Sequence, residues 1–118
     1  MRVLLMTLAL VFGLSLNAQV KAAENLMDGI TLHQICGPFK VPKNKYKHGL
    51  CAGFLVAIAD IYQSNPNDDF CFVVPEVDPR KKMIEAYNKW GVENPQERKV
   101  DGWVAVLLAL NSEFPCPK

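Results

Sequence analysis

The residues of this chain best equipped for covalent chemistry are four cysteines, Cys36, Cys51, Cys71 and Cys116. An even set in an exported chain predicts two disulfides. Zinc would need ligands preset in pairs, and the sequence holds no Cys-x-x-Cys and no His-x-x-x-His. The two histidines, His33 and His48, stand in no nucleophile or metal motif. His33 falls in a short amphipathic stretch, and His48 sits beside lysines. Asp60, Asp68 and Asp69 are carboxylates close enough in sequence to suggest acid–base work. Two of them lie in an Asn-Asp-Asp turn of ordinary loop chemistry, and nothing supplies the contrast of environments that would split their pKa values. Lys40, Lys43, Lys45 and Lys47 make a solvated connection or, alternatively, a surface that steers an acidic partner. No catalytic residue, metal or cofactor is expected.

The chain starts with a leader. Arg2 precedes the apolar run of residues 3–16, broken by Thr7, Gly13 and Ser15, and small residues follow in "NAQVKAAEN". That order is the signature of a secretory signal peptide. The run is shorter than the roughly 20 residues a spanning helix needs, so no membrane anchor is expected. Small residues allow cleavage after Ala22, giving residues 1–22 as signal peptide and 23–118 as the mature domain, or after Ala18. Cleavage after Ala22 leaves eleven basic against twelve acidic residues. That balance offers nothing to nucleic acid or to an anionic membrane.

These residues must be positioned by helices. "ITLHQIC" follows Asp28-Gly29 and is stopped by Gly37-Pro38. "PFKVPKNKYKHG" has no sustained period and is expected to be a loop. "GLCAGFLVAIADIYQSN" is the strongest helix, with Leu50, Phe54, Ala57, Ile58 and Ile61 at helical spacing. Cys51, Leu55 and Tyr62 widen that stripe, and its apolar breadth implies contact on more than one side. Gly49, Gly53 and Ala57 give it a bare strip where a second subunit could approach.

A third helix is expected to be capped by Asp78, with Pro79 at its first position. Met83, Ile84, Tyr87 and Trp90 form one face, and a Glu85–Lys89 pair lies on the other. Gly91 should end it. The fourth is expected to start at once, with Asn94 as cap, Pro95 first and Glu97 at the capping-box position. Val100, Trp103, Val104, Leu107, Leu110 and Phe114 carry its period, and Gly102 marks a close contact. "FCFVV" is the one strand-like run, and one short strand makes no sheet. The expected fold is all-α: a small four-helix domain stapled by disulfides.

Four cysteines allow three pairings. Antiparallel packing of helices joined by short loops brings Cys36 to Cys51 at one end. It brings Cys71, before the third helix, to Cys116, after the fourth. The expected pairs are therefore Cys36–Cys51 and Cys71–Cys116.

Taken in order, "CAGFLVAIADIY", "CFVVPEV", "ENPQERK" and "LLALNSEFPC" resemble the Rap/Tai family of periplasmic immunity proteins. That family protects bacteria from peptidoglycan amidases delivered by type VI secretion, and the likeness covers residues 36 to 116. The resemblance implies a periplasmic all-α inhibitor, often dimeric, that plugs an amidase active site with a protruding loop. The loop with that character here is Gly91, Val92, Glu93, Asn94 and Pro95, flanked by Trp90, Glu97 and Arg98. Trp90 and Trp103 are more often core residues than binding anchors; of the two, Trp90 is the better anchor candidate, because it ends a helix beside an exposed turn. A homodimer would use Gly49, Gly53 and Ala57. Two other classes compete: a small disulfide-bonded periplasmic chaperone or stress protein, and a carrier with an apolar cavity between the second and fourth helices.

Overall fold

The computed structural model describes residues 26–37 and 44–118. The expected signal peptide, residues 1–22, and Lys40 and Lys43 lie outside the described residues. Four helices follow one another: α1 (Gly29–Cys36), α2 (Lys45–Ser64), α3 (Pro79–Glu93) and α4 (Gly102–Glu113). A single 3₁₀ turn, Glu97–Lys99, separates the last two. The all-α expectation holds. Among the described residues, extended pairing is confined to two isolated bridges, Asp28 with Asp101 and Phe72 with Pro115.

Asp28 caps α1 by accepting from the Thr31 N–H at 2.6 Å. That hydrogen bond holds the Asp28 carboxyl below its ordinary value. The helix closes at Gly37, whose N–H donates to the His33 carbonyl at 2.8 Å. It is too short to be stable alone, and it packs against all three other helices and the 3₁₀ turn.

α2 begins earlier than the lysine pattern suggested. Asn44 accepts from the Lys47 N–H at 3.1 Å, so Lys45, Lys47 and His48 are helical rather than loop. Lysine is a good helix former once a cap is in place. As expected, α2 makes contact on more than one side: it meets α1, α3 and α4, with Cys51, Leu55 and Ala59 buried and Ala52, Phe54, Val56, Ile58 and Tyr62 partly buried against the core. Gly53 lies two residues from Cys51, about 200° around the helix. The strip of Gly49, Gly53 and Ala57 therefore points away from the core. A Cβ added at Gly49 or Gly53 would meet nothing within 4 Å.

α3 keeps its expected face, with Met83, Ile84, Tyr87 and Trp90 buried. Its ends differ. Asp78 takes a left-handed conformation (φ 51°) and makes no side-chain cap bond. The helix runs through Gly91 to Glu93, where Asn94 closes it by donating both its backbone N–H and its side-chain amide to the Trp90 carbonyl, each at 2.9 Å. Asn94 thus ends α3 instead of starting α4. Lys89 turns to Glu113 on α4, at 2.9 and 3.2 Å, rather than to Glu85. Glu85 instead faces Lys81 at 3.9 Å, on the solvent side.

α4 starts at Gly102 because the residues before it are used elsewhere. Gly29 donates to the Val100 carbonyl and Gly102 to the Met27 carbonyl, both at 2.8 Å. This bridge needs extended backbone at Val100 and Asp101, which no helix can supply. From there Ala105, Val106, Leu107, Ala109 and Leu110 fill the core.

Both cysteine pairs form as expected, Cys36–Cys51 and Cys71–Cys116. The loops closed span 15 and 45 residues, for which chain entropy alone gives about 3 and about 4 kcal/mol. The second staple is reinforced by backbone. Val73 donates to the Phe114 carbonyl at 2.9 Å and Cys116 to that of Cys71 at 3.0 Å. Asn111 accepts from the Cys71 N–H at 3.0 Å.

The Gly102 contact is as close as anticipated: an added Cβ would lie 2.8 Å from the Met27 carbonyl oxygen. Helix propensity alone would make Gly102→Ala stabilising by about 1 kcal/mol. The backbone clash reverses the sign, and a net loss of about 1–3 kcal/mol is expected in urea unfolding with an unchanged m value.

Candidate functional site

The segment between α3 and α4 combines exposure with restraint. At its start, Trp90 is 5% exposed and Gly91 is buried. Both belong to the core face of α3, which is the reading the spacing favours for Trp90. Trp90 packs instead against Tyr87, with ring centroids 6.1 Å apart. Val92 then emerges at 71% exposure. Glu93, Pro95, Gln96 and Glu97 are exposed as well, while Asn94 and Arg98 are half-buried. The part of the segment that can meet another molecule is an apolar Val92 beside the acids Glu93 and Glu97. Val92 and Glu93 are the last two residues of α3, and Glu97 lies in the eight residues, 94–101, that join α3 to α4, so this is a helix end with the turn after it and not a tight hairpin loop.

Its restraint comes from three sides. Glu97 donates its N–H to the Asn94 carbonyl at 3.2 Å, continuing the turn from the cap of α3. The Asp28–Asp101 bridge clips its far end to the head of α1. Between them, α1 is bound to α3 by two hydrogen bonds: the buried Tyr87 hydroxyl donates to the Gly29 carbonyl at 3.1 Å, and the Asn88 amide donates to the Cys36 carbonyl at 3.0 Å. Burial raises the Tyr87 hydroxyl well above its ordinary pKa, so it stays a donor.

His33 occupies the seam that these bonds create. Its ring lies against Gly91, where any Cβ would strike Nδ1. Burial, and then the Arg98 guanidinium, hold its pKa below the ordinary value. Gly91 sits in a helix because this neighbour requires the missing side chain. The sequence signal for Gly91 was its type; what it accommodates was not legible.

The other sequence-derived candidates lie apart. Asp60, Asp68 and Asp69 are all exposed. Asp68 and Asp69 lie in the turn in which Asn67 accepts from the N–H groups of Asp69 and Phe70 at 3.0 and 2.9 Å. Lys45 and Lys47 are exposed at the head of α2. A nearby groove of about 570 Å³ is lined by Arg80 and Lys81 but equally by Asp78 and Glu85, with His48 at its edge. Among its described lining residues the formal charges balance. Among the described residues, no group of three or more His, Cys, Asp or Glu could hold a metal.

One surface was only half legible. Along α2, Tyr46, Leu50 and Ile61 are 77, 37 and 58% exposed beside the bare strip. Trp103 on α4 is 42% exposed and stacks on Tyr62 at 6.3 Å. Of the two tryptophans, the exposed one is Trp103. No described helix is long and apolar enough to cross a membrane.

Scaffold and surface should separate on mutation. Trp90→Ala is expected to cost about 3–5 kcal/mol, whereas Val92→Ala and Glu93→Ala should stay within about 0.5 kcal/mol of the parent. Chemical denaturation of the three variants checks this.

No curated protein and no solved structure gives a significant match to the chain. A family profile does: that of the Rap1a immunity proteins, over residues 28–116. The match runs from the cap of α1 to the last cysteine and takes in every tie just described. By that match, the chain belongs to the Rap1a immunity protein family.

Proposed function

We propose that this protein is an exported immunity protein that binds and inhibits a peptidoglycan amidase delivered by type VI secretion, and that it acts in the periplasm. Family membership across all four helices is the observation that carries this reading. It implies a toxin partner. The leader-like start and the two disulfides support an oxidising compartment outside the cytoplasm.

The contact is made by the exposed end of α3 and the turn that follows it. Val92 supplies the apolar centre, and Glu93 and Glu97 the flanking charge and hydrogen-bond acceptors. Asn94 and Arg98 shape the turn from below. A turn held between a capped helix and a backbone bridge has little freedom left to lose on binding, which favours affinity. Trp90 and Gly91 contribute by fixing its root. Inhibition is steric, a wedge closing the mouth of an amidase cleft, and no chemistry is asked of the immunity protein.

A second copy of this chain occupies the outer face of α2. Gly49, Gly53 and Ala57 permit close approach, while Leu50 and Ile61 supply apolar area. The alternative, a chaperone or stress protein, would use the same face for unfolded chains and would expose more apolar surface in acid. Binding of a hydrophobic dye that stays flat from neutral to acidic pH excludes it.

The decisive experiment mixes the purified protein with the product of the adjacent gene. A complex that abolishes release of peptides from peptidoglycan is expected, with protection of cells on co-expression. Combined Val92→Ala, Glu93→Ala and Glu97→Ala substitution should weaken the complex by at least about tenfold without lowering the melting temperature. Gly53→Arg should convert a dimer to a monomer in sedimentation while leaving inhibition intact. Absence of any complex with a cell-wall hydrolase, and of protection, would remove the proposal.

A further inference from the structure

The seam beneath the turn contains buried polar atoms that the fold does not use. His33 Nδ1, Asn88 Oδ1 and Arg98 Nε are each shielded from solvent and find no hydrogen-bond partner among the described residues. Buried polar atoms are ordinarily paired, so an unpaired one calls for a physical account. For Asn88 the amide nitrogen is engaged at Cys36, and its oxygen lies against Gly37, where an added Cβ would be 3.1 Å away. For His33 the consequence is electrostatic. An unprotonated Nδ1 needs no acceptor, whereas a protonated one places an N–H and a positive charge against the backbone of Gly91.

We propose that His33 is an acid-operated latch on the α3–α4 turn: protonation of its inward-facing Nδ1 separates α1 from Gly91 and Arg98 and frees the turn. The groups that face His33 all favour this direction. Arg98, from the 3₁₀ turn, is a cation that repels an imidazolium. Tyr87, from α3, is a neutral ring at 6.3 Å whose hydroxyl is committed to Gly29. Asp28, at the head of the same helix, is engaged by Thr31. The buried residues of α2 are Cys51, Leu55 and Ala59, and those of α4 are also apolar or glycine. Among the described residues, the charged group acting on His33 is Arg98, and no carboxylate acts beside it.

The sign follows from linkage. The folded-state pKa of His33 lies below its ordinary 6.5, so the unfolded or opened form binds the proton more readily. The closed seam is therefore fully stabilised above about pH 6.5. That stability is lost as pH falls through the folded-state pKa.

The latch rests on the immunity reading only for its consequence, weaker hold on the toxin in acid, and it is tested on the free protein. Amide exchange at residues 91–101, expressed as protection factors, is compared with Val106 and Leu107 in the core of α4 from pH 8 to pH 5. The His33 imidazole is followed by NMR over the same range. Expected are a His33 midpoint below 6.5 and a severalfold loss of protection confined to the turn, tracking that midpoint. His33→Gln should remove the pH dependence, and Gly91→Ala, by pushing the ring out, should give the open turn already at pH 8. A His33 midpoint at or above 6.5 overturns the inference. So does a loss of protection that is equal in α4, or one that persists in His33→Gln.

Discussion

An eight-residue helix cannot hold itself in water, because the cost of its nucleus is never recovered over so few hydrogen bonds. α1 exists because four separate ties bind it. The Asp28–Asp101 bridge takes its head, Tyr87 takes the Gly29 carbonyl, Asn88 takes the Cys36 carbonyl, and the disulfide takes its last residue to α2. Every other element then rests on it. α3 offers it Gly91, α4 begins where its bridge ends, and the 3₁₀ turn passes over it with Arg98 against Gly29. Loss of α1 would leave a helical hairpin stapled at one end and open at the other.

This arrangement decides what the surface presents. Cys51 is drawn to Cys36, and with it Leu55 and Ala59 are turned inward, one helical turn apart each. The other side of α2, with its glycines, is thereby committed to the outside. The turn after α3 is likewise held out because both its ends are fixed to the same short helix. Its rigidity and its exposure have a single origin. A binding segment built in this way needs little ordering when it meets a partner, and its scaffold can be perturbed through α1 without touching the contact residues.

Much of this was legible because it depends on local chemistry. Asp28 and Pro79 mark helix starts, Gly37 marks a helix end, and the Met83–Ile84–Tyr87–Trp90 spacing marks a buried face. The cysteine pairing followed from chain direction alone. What failed did so where a distant segment outbid a local signal. Asn94-Pro95 with Glu97 has the form of a helix start, yet Val100 and Asp101 are taken by Met27 and Gly29 for a bridge. Gly91 has the form of a helix end, yet the helix continues because His33 packs against the missing side chain. Lys89 had an i−4 partner in Glu85 and found a better one in Glu113, whose carboxylate raises the lysine pKa through a direct hydrogen bond.

An all-α chain with two disulfides in a fixed pairing, and a resemblance strong enough to name a family, could be read from the residues alone. These follow from periodicity, cap residues and cysteine order, which act over a few residues or along the chain direction. Only the tertiary structure decided which tryptophan is buried, which side of α2 is bare, where α4 begins, and that His33 lies against Gly91 beside Arg98. Those outcomes depend on the rotation of each helix about its axis. Two residues of offset reverse a face, and the rotation is set by ties between separate segments: Cys36–Cys51 for α2, Tyr87–Gly29 and Asn88–Cys36 for α3, and Cys71–Cys116 with Cys71–Asn111 for α4.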